Sequence, residues 1–291
     1  VLRRVLVLWI LGMMVQGHLL EFDRQTIHFY SNTLQAIAAG YLVASVFLFH
    51  LPVWGQVAGT AVLLVGYWLL MLLVPFRGHP AGTLEEKVNL ALYIDEQVLG
   101  PFRDGTTYTW ILSSMAFAGM VLMGVFAGHL LRSRWSRGMK VVWLVLWGVG
   151  CLAVAWLWSG GFDQWFQMTL VGNWRFPIIK HLFTSSMVLW AAGWSYLLLA
   201  LFYLVIDVLG HRWVGWFFEI LGANAITAYV AWNLVSFPTI AERFVGGLAR
   251  YLATFGAPLA NVGEALNPVG AFLILWLLLF FMYRKGSFVR V

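Results

Sequence analysis

Charged side chains are scarce in this chain, 10% of its residues against 62% hydrophobic ones, and the mean hydropathy is +0.82. A soluble domain averages roughly 25% charged residues. The shortage therefore excludes a water-soluble globular protein and leaves an integral membrane protein. Cysteine is scarcer still: the single Cys151 lies in an apolar run and excludes an intrachain disulfide. No GxGxxG after a strand, P-loop, CxxC, HExxH or GxSxG elbow occurs, so no soluble-enzyme or metal-site signature competes, and no metal is expected. Internal repeats and low-complexity tracts are missing too.

What the chain does have is long apolar runs and 17 tryptophans, residues that favour the two membrane interfaces. The charged and Pro/Gly-rich boundaries divide the runs into about eight spans. They fall near 5–20, 32–50, 57–75, 108–131, 139–158, 187–206, 214–236 and 268–283. The run at 32–50 is interrupted by Asn32, Gln35 and Ser45, and such polarity belongs inside a bundle. The fold class expected is all-α, a polytopic helical bundle over 1–291 as one transmembrane domain. The longest connections are 76–107, 159–186 and 237–267.

Charge then orients the bundle. One set of ends holds ten basic residues (Arg3, Arg4, Arg132, Arg134, Arg137, Lys140, Arg212, Arg284, Lys285, Arg290) against Asp207 and Glu219. The positive-inside rule makes that side cytoplasmic, with both chain ends on it. The pI of about 9.6 thus reflects topology, and no nucleic-acid partner is implied. The three long loops lie on the other side, with Asp95, Glu96, Arg103, Asp163, Arg175, Lys180 and His181. His18 and His28 fall there as well.

Five local patterns carry polar chemistry. Leu34-Gln35-Ala36-Ile37 puts an amide one turn into the second span, to bond a neighbouring helix or a ligand. Asn89 to Asp95 is amphipathic, and Asp95 either caps a helix or meets a substrate. Gly119, Gly124 and Gly128 suit close helix packing. Lys180 stands before Thr184, Ser185 and Ser186. A snorkelling lysine explains the charge but not the hydroxyls. Asn224, inside Gly222 to Tyr229, must find a partner, another helix or a ligand. His181, beside Lys180, is the best placed histidine, though an interfacial histidine needs no role.

In order and spacing these motifs resemble the bacterial relatives of heparan-α-glucosaminide N-acetyltransferase, a family of polytopic transmembrane acyltransferases. The resemblance runs through Arg3-Arg4, Leu34 to Ala38, Asn89 to Asp95 with Leu99-Gly100, Ile111-Leu112-Ser113 and Gly124 to Gly128. It continues through Lys180 with Leu182, Thr184 and Ser185, then Asp207 and Gly222 to Tyr229, and fades from residue 237. Ala36 departs from it, since the family usually has arginine there. The resemblance implies a bacterial inner-membrane protein, in a possible homodimer, moving an acetyl group from cytosolic acetyl-CoA to an amino-sugar or glycan acceptor outside. Arg4, Gln35, Lys180, Ser185 and Asn224 would bind acetyl-CoA, with the Arg132–Lys140 cluster as a further source of positive charge. Asp95, Thr184 and His181 would bind the acceptor. The family's catalytic histidine is expected upstream of Val1, this chain being the larger, C-terminal part of an acyltransferase of ten or eleven spans. Acetyl transfer by these residues alone is therefore not expected. The rival expectation is a transporter or lipid-linked glycan flippase, and a third is an assembly subunit.

Overall fold

A computed structural model describes residues 1–17, 27–167, 169 and 171–289, without the side chains of 257–259. The chain is mostly helical and packs as two compact units, residues 1–210 and 211–291.

The first unit begins with α1 (Leu2–Val15), α2 (Thr33–His50) and α3 (Val53–Leu73). A two-residue hairpin follows, β1 (Leu84–Glu85) antiparallel to β2 (Val88–Asn89), and leads into α4 (Leu90–Leu99). Then come α5 (Ser114–Arg132), α6 (Arg137–Trp158), the short α7 (Gly161–Phe166) and α8 (Ser185–Tyr203). A π turn, Leu204–Val208, ends the last of these at Asp207.

Side-chain caps set several of these starts. The Asn32 side chain accepts from Leu34 N at 2.9 Å to open α2, and the Asn89 side chain accepts from Leu92 N at 2.8 Å to open α4. The Ser136 hydroxyl does the same for Met139 N at α6. Gly100, with φ +52, ends α4 in a conformation that side chains rarely adopt.

Small residues let helices approach, but not where the sequence suggests. Gly119 does lie against Leu64 of α3, whereas Gly124 and Gly128 face open space. Antiparallel α6 and α8 approach closely on both sides. A Cβ on Gly193 would lie 2.9 Å from Gly148 O, and one on Gly148 would lie 3.0 Å from Gly193 O. On α2, a Cβ at Gly40 would lie 2.7 Å from Phe117 O. As its polarity predicts, α2 is among the most enclosed helices, with Gln35 and Ser45 buried.

The second unit holds α9 (Arg212–Ala223), α10 (Ala225–Leu234), α11 (Phe237–Ala253) and α12 (Ala257–Arg284). Its core is Ile220, Phe237, Ala241, Ala271, Leu275 and Leu279. Two readings change here. The stretch 237–267, expected as a connection, forms α11 and the start of α12, an antiparallel hairpin turned at Gly256 (φ +92). Glu242, Arg243 and Arg250 keep α11 from looking like a span, yet Ala241 still packs on α12 beside Gly270. The expected span 214–236 is broken: α9 and α10 meet at Asn224 with a 61° bend.

Among the described residues, six helices are long and apolar enough to cross a membrane, or seven if the bent pair is one span. The eighth expected span, 5–20, corresponds to α1, whose 14 residues rise only ~21 Å at 1.5 Å each, short of a ~30 Å hydrocarbon core. Residues 18–20 of that span, His18 included, lie outside the described residues. The span expected at 108–131 starts at Ser114, because 108–113 is a loop held by Asp95.

Candidate functional site

One end of the first unit gathers polar side chains from five separated stretches. It is the end where α2, α5 and α8 begin and α3 ends. Asp95 is fully buried there, and its two oxygens accept Trp110 N at 2.7 Å and Ile111 N at 2.8 Å. Burial pushes its carboxyl up to about 6, opposed by those two N–H groups and by Arg103, and reinforced by Asp104. The carboxylate fixes the 108–113 loop, which in turn places Thr109 and Ser113. Their hydroxyls lie 2.6 Å apart, and Ser113 donates to Leu182 O at 3.2 Å. The Tyr67 hydroxyl of α3 donates to the same carbonyl. Thr109 bonds His181 O through both its N–H and its hydroxyl, each at 3.2 Å. Segments 67, 109–113 and 181–182 are thereby tied into one buried network.

The hydroxyls after Lys180 have structural partners. Thr184 Oγ1 donates to Pro177 O at 2.8 Å and accepts from Ile179 N at 3.1 Å. Ser186 donates to Pro177 O at 3.1 Å, and Ser185 donates to Leu64 O of α3 at 2.7 Å. These bonds hold a tight loop in which Phe183 takes φ +48, a region costing roughly 1–3 kcal/mol for a bulky residue. The Phe183 ring is set edge-on to Phe117 at 4.7 Å, packing that offsets the strain.

On the surface of this network sits a histidine with a carboxylate and a hydroxyl. His181 Nδ1 lies 2.8 Å from Glu86 Oε1 and 2.6 Å from Thr107 Oγ1, and Thr107 donates to Glu86 at 2.7 Å. A carboxylate only accepts. A bare Nδ1 lone pair facing it would repel, so the proton belongs on Nδ1, and the neutral ring keeps its free lone pair on Nε2. Tyr108 stacks on the imidazole at 4.2 Å and 9°, fixing the ring plane. Asn89 holds Glu86 in turn, donating to Glu85 O at 3.0 Å and Glu86 O at 3.3 Å. Lys180, next along the chain, is exposed and makes no ion pair among the described residues. An oriented base beside a free cation suits proton removal next to developing or resident negative charge.

Within the first unit, the fold gathers only part of the set expected to share a ligand. Gln35 is at this end, but its amide is engaged: Nε2 donates to Phe29 O at 2.8 Å and Oε1 accepts from Ser31 N at 2.9 Å. Arg4 is away from this end, its guanidinium 5.8 Å from the ring of Tyr41 midway along α2, and the Arg132–Lys140 cluster is on the turn between α5 and α6. Asn224 belongs to the second unit. It is buried, donates to Ser287 O at 3.3 Å and accepts from Val289 N at 3.1 Å, mimicking a strand partner for the tail after α12. Of the first-unit members of that set, Gln35, Lys180 and Ser185 share one end and Arg4 does not. Asp95, Thr184 and His181 also lie at that end.

Glu86 and Thr107 were not legible as site residues, since each is one polar residue in a polar loop. The only available signal was Asn89, whose place in a cap fixes the preceding turn. Among the described residues no group of three His, Cys, Asp or Glu side chains converges as a metal site. Comparison with protein-family models gives no match for the chain, and comparison with curated proteins gives none.

Proposed function

We propose that this chain is a membrane acyltransferase, moving an acetyl group from acetyl-CoA to an amino-sugar acceptor, with His181 as the base. The observation that carries this reading is the Nδ1-anchored imidazole beside Lys180, set where motif residues from five stretches gather. In this mechanism the acceptor amine attacks the thioester carbonyl while His181 Nε2 takes the amine proton. The carbon–sulfur bond then breaks, and the proton passes to the departing CoA thiolate. Lys180 meets the negative charge that develops on the thioester oxygen. This reading replaces the expectation that these residues alone do not transfer acetyl, because it gives the proton-transfer role to His181.

The same reading counts α1 as an eighth crossing, its short length met by local thinning of the bilayer. It sets both chain ends in the cytoplasm and the His181 end outside a bacterial inner membrane, in a homodimer. The test is thermal stability of the detergent-solubilised protein with acetyl-CoA. At a concentration 100 times Kd, binding adds ~2.7 kcal/mol of stability and raises the melting temperature. An unchanged melting temperature at millimolar acetyl-CoA would count against the reading.

The 61° break at Asn224 favours a second reading, a transporter or glycan flippase, because broken helices line many transport sites. Against it, the Asn224 amide is already bonded to the tail at 287–289. Acetyl-CoA-independent uptake of a glycan into proteoliposomes would decide for transport.

A further inference from the structure

The loop at 171–177 spans from the end of α6 to the outer part of α3, and it is built firmly. Phe176 N donates to Trp158 O, the last residue of α6, at 2.8 Å. Trp174 O accepts from Trp68 Nε1 of α3 at 3.0 Å. The Asp163 carboxylate accepts Gly172 N at 2.9 Å. Two clefts share Trp174 as a wall. The first, about 460 Å³, is lined by Trp68, Val154, Leu157, Trp158, Val171 and Trp174. Val154 and Leu157 lie on the exposed face of a candidate membrane helix, so this cleft opens sideways, towards hydrocarbon. The second, about 590 Å³, lies on the loop side, where Arg175 and Asn173 join its lining.

Arg175 is exposed and makes no ion pair among the described residues. Its stem rests on Gly160, where a Cβ would lie 3.4 Å from the arginine's Cβ and Cδ. A cation therefore stands at the boundary between an apolar, tryptophan-walled cleft and a polar one. Tryptophan prefers the headgroup level of a bilayer, and a guanidinium fork matches phosphate oxygens. Either cleft alone is within the size of ordinary ligand sites, roughly 300–1,000 Å³.

We propose that this is a specific site for one anionic glycerophospholipid. An acyl chain occupies the cleft between Trp68, Leu157 and Trp158, the phosphate meets Arg175, and the rest of the headgroup enters the larger cleft. The proposal is independent of the acyl-transfer reading.

Native mass spectrometry of the whole chain tests it, with phosphatidylglycerol and phosphatidylcholine titrated separately. The expected result is one saturable phosphatidylglycerol, held about tenfold more tightly than phosphatidylcholine, whose choline cation offsets the phosphate and is repelled by Arg175. Arg175→Gln, at an exposed side chain, should bring the two lipids level. Val154→Trp, which fills the apolar cleft, should lose both lipids while the melting temperature stays that of the wild type. Equal affinity for the two lipids in the wild type, or an unchanged preference in Arg175→Gln, would overturn the proposal. So would displacement of the lipid by equimolar glycerol 3-phosphate, which would mean a soluble-phosphate site instead.

Discussion

Replacing Asp95 by asparagine should change how stability depends on pH more than it changes stability itself. Burial raises the Asp95 carboxyl from its ordinary 3.8 to about 6, so the folded protein holds this proton more tightly than the unfolded chain does. The stabilising effect of protonation is complete below the unfolded value and is lost as pH rises through about 6. At ~1.4 kcal/mol per pKa unit, the full difference between low and neutral pH is on the order of 3 kcal/mol. The amide that Asp95→Asn introduces does not titrate. Its oxygen satisfies one of the two N–H groups at 110 and 111, while its NH₂ faces the other and leaves a buried donor unpaired, a cost of ~1–3 kcal/mol. At pH 7 the losses nearly cancel, because the variant avoids a buried charge. At pH 4.5 the wild type has regained on the order of 2 kcal/mol and the variant nothing. Tryptophan-fluorescence melts in detergent between pH 4.5 and 8 would show the wild type pulling ahead on acidification, by roughly 4–8 °C. Groups other than Asp95 titrate in both proteins and cancel. Parallel curves, or a gap that closes at low pH, would refute the reasoning.

Two further substitutions check the local architecture. Thr184→Val removes bonds to Pro177 O and from Ile179 N together and should destabilise by ~2–3 kcal/mol, against ~1 kcal/mol for Ser185→Ala. Melting temperatures should rank them in that order, and a larger loss from Ser185→Ala would contradict it. Asn224→Leu should release the tail after α12, read as faster amide exchange at Ser287 and Val289 with the α11–α12 hairpin still protected. Unchanged exchange there would show that the side chain does not hold the tail.

Much of the helical layout was legible because hydropathy alone decides what can face lipid. The run 139–158 matches α6 almost residue for residue. Reading failed where tertiary bonds override composition. Residues 108–113 are apolar enough to extend a helix, but Asp95 takes two of their N–H groups. In α11 three charges hide an apolar face that packs on α12. The site was legible in part. His181 and Lys180 stand out as polar residues at a span mouth, and both lie on the network's surface. The hydroxyls at 184–186 and the amides of Gln35 and Asn224 looked equally available, yet their bonds go to backbone within 3.3 Å. Which polar groups are already bonded depends on the close approach of distant segments, and residue spacing carries no trace of it.

The central claim is that His181 removes the acceptor's proton during acetyl transfer. Its most direct test is transfer of labelled acetyl from acetyl-CoA to glucosamine by the protein in liposomes, comparing wild type, His181→Gln and Glu86→Gln. The wild type should form product. His181→Gln should lose ~10²–10⁴-fold in kcat with little change in melting temperature, and Glu86→Gln should lose less. Transfer at the wild-type rate by His181→Gln, or no product from the wild type, would contradict the account.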